Sequence, residues 1–128
     1  MNLWQGNLTM TNSETLFRSE GMALSLPEGL LPPLSMERSV ITLGIRPEDI
    51  TMAKTPGSLQ VDAQVELIED LGADLLLHCR VGDVRLVVRA DRGIERTTGL
   101  TVPLFFPLNK LHVFIDDHRY DQASSLPA

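Results

Sequence analysis

Apolar and polar residues alternate along most of this chain. The pattern is cleanest over 61–67, where Val61, Ala63, Val65 and Leu67 interleave with Asp62, Gln64 and Glu66. A two-residue period of this kind predicts a strand with one buried face, with Leu67 on the buried side. Strands follow at 75–81 and 84–90, joined by Gly82-Asp83 as a tight hairpin turn. Looser alternation predicts a strand over 2–10, with Leu3, Trp4, Leu8 and Met10 as apolar positions. Two more short strands, 15–19 and 22–26, form a hairpin around Gly21. Residues 40–45 form a strong strand that Pro47 ends, because proline cannot donate to a ladder. Two last strands, 101–106 and 111–115, flank a turn at 107–110. Pro27, Gly29, Pro32 and Pro33 mark 27–39 as a loop, and Pro56-Gly57 centres a turn over 54–58. Gly72 calls for a positive φ between 70 and 74, and 92–99 is polar. These are about nine short strands with no amphipathic helix. The class they predict is all-β, an OB-fold-like antiparallel barrel or pair of barrels.

Length and charge narrow the functions. A chain of 128 residues holds one domain or two small intertwined barrels, with residues 122–128 as a frayed, flexible tail. The net charge of −6 repels phosphate backbones and anionic head groups, which argues against nucleic acid and lipid surfaces as partners. No stretch approaches the ~20 apolar residues of a membrane helix, so no direct membrane insertion is expected. The start, MNLWQGNLTM, lacks the basic and apolar regions of a secretory signal. With Cys79 alone there is no internal disulfide. The chain reads as cytoplasmic.

Candidate chemistry is sparse. Arg46 and Glu48 flank Pro47 and form either an ion pair that fixes two sub-barrels or a solvated turn; the turn is the expectation. Gly72 with Asp74 suits a turn better than a cradle for an anion. His112, Asp116 and His118 share a strand phase with Phe114, but the two histidines stand about 20 Å apart on a straight strand. They share a metal only if the chain turns after Ile115, and no metal or other cofactor is expected. Cys79, between Leu77 and Val81 in phase, reads as buried and inert, and His78 as a surface residue. Arg80, Arg85 and Arg89 read as a solvated face offset by Asp83, Glu69 and Asp70. No GxxxxGK[ST] loop exists, and Lys54 and Lys110 are the only lysines.

The octet Leu43-Gly44-Ile45-Arg46-Pro47-Glu48-Asp49-Ile50, then Val65 through Leu71-Gly72-Ala73-Asp74, then Phe106-Pro107 and Leu111-His112-Val113-Phe114 carry a resemblance in their order. The chain resembles the C-terminal regulatory region of ABC-transporter ATPase subunits of the maltose and glycerol-3-phosphate importer type, the transport-associated OB (TOBE) domain. Met1-Asn2-Leu3 also resembles the start of that region. The resemblance covers residues 1–121 and departs from the family at Ile115, which intervenes before Asp116-Asp117. It implies a regulatory and dimerisation module, without an ATPase core of its own and without enzymatic activity by itself. Its implied partners are a second copy, an ABC ATPase core and, through that core, membrane permease subunits, at the cytoplasmic side of the inner membrane. Interface or regulatory roles are implied at Arg46, Pro47, Glu48, Gly72, His112 and Phe114. The alternative is a stand-alone TOBE-like sensor of small oxyanions.

Overall fold

In the computed structural model Val61, Ala63 and Val65 are buried while Asp62, Gln64 and Glu66 are exposed, so the period read along the chain is the pleat of a half-buried strand. The structure describes residues 1–11, 14–27, 40–92, 99–116 and 118–120. The loop expected over 27–39 lies outside them beyond Pro27, as do most of 92–99 and all of 122–128.

Ten strands run through the described residues: β1 (Asn2–Thr11), β2 (Glu14–Ser19), β3 (Met22–Leu26), β4 (Ile41–Ile45), β5 (Ser58–Asp70), β6 (Asp74–Val81), β7 (Val84–Asp91), β8 (Thr101–Pro107), β9 (His112–Ile115) and β10 (His118–Tyr120). Every pairing is antiparallel. One sheet has the order β10-β9-β4-β1-β2-β3 and the other β7-β6-β5-β8. The all-β, OB-like class expected from the sequence is what the chain adopts.

Each sheet is organised by one divided strand. The first half of β1 pairs with β4, from Asn2↔Ile45 to Gly6↔Ile41, and its second half with β2, from Asn7↔Arg18 to Thr11↔Glu14. The strand β5 pairs with β8 over Ser58 to Gln64 and with β6 from Gln64 onward.

Two departures from the expected strands have local causes. The register of β5 slips between Val65 and Leu67, so Glu66 is an extra residue. The slip reverses the phase: Leu67 faces outward at 55% exposure, and Ile68 takes the core side. The chain also continues past 115. Asp116, at φ 48°, turns it into β10, which pairs back through His118↔Ile115.

The two sheets share one core. Trp4 of β1 stacks on Phe106 of β8 with ring centroids 5.4 Å apart. Phe17, Leu24, Ile41, Leu43, Leu77, Leu86, Leu104 and Val113 belong to the same buried cluster. Two turns seal it from outside. Gly21, at φ 91°, closes the β2–β3 hairpin, and Gly82, at φ 59°, closes β6–β7. A Cβ on Gly82 would stand 2.7 Å from the Gly21 carbonyl carbon, so the hairpins meet backbone to backbone. The Asp83 N–H donates to the Glu20 carbonyl across the contact at 2.8 Å.

Candidate functional site

The octet sits where the first sheet hands the chain to the second. Buried Ile41, Leu43 and Ile45 bring β4 to an end, and Pro47 opens a single 3-10 turn over Pro47–Asp49. The Asp49 N–H donates to the Arg46 carbonyl at 3.0 Å and closes that turn. Ile50 then plugs into the core at 3% exposure, and Thr51 pairs with Phe105 of β8 in both directions, at 3.0 and 2.8 Å. Anchored at both ends, the turn holds Arg46 and Glu48 in solvent. No salt bridge forms at Arg46 or Glu48 among the described residues, which fits the solvated turn rather than the ion pair.

Glu48, Ile50, Thr51, Met52 and Ala53 line one wall of a groove of about 350 Å³; residues 88–91 of β7 line the other. The strand β7 is an edge of its sheet. Part of that edge is covered by side chains of β1. The Asn2 carboxamide donates to the Val87 carbonyl and accepts from the Val87 N–H, both at 2.8 Å, as a strand's peptide group would. Trp4 Nε1 donates to the Arg85 carbonyl at 3.4 Å.

A second surface lies on the outside of β1, β4 and β9. Thr42 pairs with Phe114, Gly44 with His112, and Leu3 with Gly44, which sets two cross-strand rows on one face. Met1, Leu3, Thr42 and Phe114 border a shallow hollow of about 200 Å³, with Met1 and Leu3 more than half exposed. Of the residues singled out from sequence, the fold thus brings His112 and Phe114 together and keeps Arg46, Pro47 and Glu48 as one turn. Gly72 stands apart at the β5–β6 tip, at φ 93°. Its N–H donates to Asp70 Oδ1 at 2.9 Å, so a carboxylate already fills the place an anion would take.

The charged residues of β5, β6 and β7 pair across strands. Arg89 Nε bonds Asp74 at 3.1 Å, Arg80 lies 3.7 Å from Glu66, His78 contacts Glu69, and Arg92 contacts Asp70. Of the three arginines, Arg80 and Arg89 are offset, by Glu66 and Asp74 rather than by the expected Asp83, Glu69 or Asp70, and no salt bridge of Arg85 forms among the described residues. Cys79 is 1% exposed, and burial, followed by the nearby Glu66 charge, pushes its thiol up to about 11. That is far from a reactive thiolate.

Among the described residues no group of three His, Cys, Asp or Glu side chains is placed to hold a metal ion. The turn after Ile115 that a His112–His118 site required does occur, but it sets His118 opposite Ile115, three residues along β9 from His112. Asp116 has a structural task instead. Its Oδ1 accepts the Val40 N–H at 2.8 Å and its own N–H donates to the Val40 carbonyl at 2.9 Å, which fastens the entry to β4. Sequence reasoning passed over Asn2 as an edge cover and the Gly21–Gly82 contact. Both depend on pairs 60 or more residues apart, for which a single sequence carries no local signal.

The fold is an OB-like module with a groove at a strand edge and an apolar hollow on its outer face. Residues 43–114 match the TOBE domain family, and the chain belongs to that family. It is 39% identical over 105 residues to the sn-glycerol-3-phosphate import ATP-binding protein UgpC of Escherichia coli O6:H1, covering 75% of this chain and 28% of that protein. The UgpC of Escherichia coli O157:H7 is 39% identical over 119 residues, 89% of this chain and 31% of that protein. The trehalose/maltose import ATP-binding protein MalK of Thermococcus litoralis is 34% identical over 79 residues, 58% of this chain and 21% of that protein. The chain therefore spans less than a third of the length of these relatives.

Proposed function

We propose that this chain is the regulatory and dimerisation module of the ATP-binding subunit of a sugar-type ABC importer. The observation that carries the reading is the match to import ATP-binding proteins over up to 89% of the chain. ATP hydrolysis belongs, on this reading, to a separate core that supplies the phosphate-holding loop, since GxxxxGK[ST] is missing here. The module works at the cytoplasmic side of the membrane, against that core and its permease subunits. No helix among the described residues is long and apolar enough to cross a membrane itself. The outer face around Leu3 and Phe114 supplies the surface for self-association, where exposed Met1 and Leu3 favour burial against a second copy. The oxyanion-sensor alternative is weakened at Gly72, whose amide is already bonded to Asp70.

Two experiments test this. A chimaera carrying this chain in place of the matching region of Escherichia coli UgpC is expected to restore glycerol-3-phosphate uptake. A stable chimaera that hydrolyses ATP without uptake sinks the coupling role. Sedimentation of the free chain is expected to show a dimer that Leu3→Glu with Phe114→Glu dissociates. A monomer persisting to about 1 mM, beyond which a Kd has little meaning for a working assembly, removes dimerisation.

A further inference from the structure

The outer edge of β7 is treated differently along its length. Its peptide groups point outward at every second residue. Those of Val87 are held by Asn2, and the Arg85 carbonyl receives the Trp4 indole. Because β7 pairs with β6 without a break in register, the N–H and C=O of Arg89 lie on that same edge, one repeat further on. No described residue bonds them. Arg89 itself lines the groove bounded by Glu48, Ile50, Met52 and Ala53.

We propose that this groove is a docking site for one extended peptide segment, from a protein partner, that carries a basic residue. The segment continues what Asn2 begins: its backbone adds to the β7 edge at Arg89 and Asp91. Size favours a single thread. Residues 88–91 give a run of about 10 Å, enough for about three extended residues. Buried Ile50 and half-buried Met52 give the thread an apolar floor. Charge selects its chemistry. Glu48 and Asp91 are exposed at the groove, and Arg89, the one cation lining it among the described residues, is engaged by Asp74 at 3.1 Å. The chain as a whole carries −6, so an acidic segment is repelled and a basic one drawn in. This inference stands on the groove's geometry and does not require the importer reading.

The test is a titration of the isotope-labelled full chain, followed by amide NMR, with acetyl-Lys-Val-Lys-Val-Lys-amide as probe. The expected result is a set of shifts centred on Arg89, Asp91 and Glu48, with Arg89 amide exchange slowed about tenfold. The same peptide N-methylated on its pairing edge, and its glutamate counterpart, are expected not to bind. Glu48→Lys, at an exposed turn position, is expected to keep the wild-type Tm and to reverse the charge preference. Shifts spread elsewhere on the surface, equal binding of the N-methylated peptide, or an unchanged preference in Glu48→Lys would each overturn the proposal.

Discussion

Three residues show how much local context decides. Cys79 is sealed between β5 and β7 partners, and its thiol titrates at about 11 rather than 9.0. Folding therefore holds the proton more tightly than the unfolded chain does. The sign follows: no effect below pH 9, then falling stability as pH rises toward 11, by about 2 kcal/mol. The gap between wild type and Cys79→Ala in urea unfolding is expected to shift against the wild type across that window. A thiol reagent at pH 8 is expected to label Cys79 only on unfolding. The glycines differ in kind. Gly72 and Gly82 both have positive φ, but a Cβ on Gly72 meets nothing within 4 Å, while on Gly82 it meets Gly21 backbone at 2.7 Å. Gly72→Ala is expected to cost about 1 kcal/mol from conformation alone. Gly82→Ala adds a backbone clash and is expected to cost about 3 kcal/mol, read by chemical denaturation. Sequence marked both as turn residues; the difference between them lies in a neighbour 61 positions away along the chain.

The elements themselves were legible, because a half-buried strand writes its period directly into the residue order. Strands β3, β6 and β7 begin and end within a residue of where alternation places them. What alternation cannot carry is pairing. The extra residue Glu66 leaves the sequence pattern intact while turning Leu67 to solvent, and β10 is too short to show a period. The edge cover is another case. Asn2 looks like an ordinary polar strand residue, yet it serves the N–H and C=O of Val87. Asn2→Ala is expected to cost about 1–2 kcal/mol by leaving those part-buried groups without a partner. Native-state amide exchange is expected to show the loss at Val87 first. Unchanged protection at Val87 would mean that another group covers the edge.

At the scale of the whole molecule, two sheets hold one core. The Trp4–Phe106 stack joins β1 to β8, so neither sheet keeps a complete interior without the other. Unfolding is expected to be a single transition, with the fluorescence of the one tryptophan and the far-UV circular dichroism superimposing. Separate midpoints would mean that the sheets melt as independent units. The candidate sites were only half legible. The octet was visible as a turn, and Phe114 as a strand residue. The groove and the outer face exist because β4, β7 and β9 converge from distant parts of the chain. The opening strand has a mechanical consequence. Its first residues hold β4 by backbone and β7 by side chains, so a tug or twist delivered at residue 1 is borne by both halves at once.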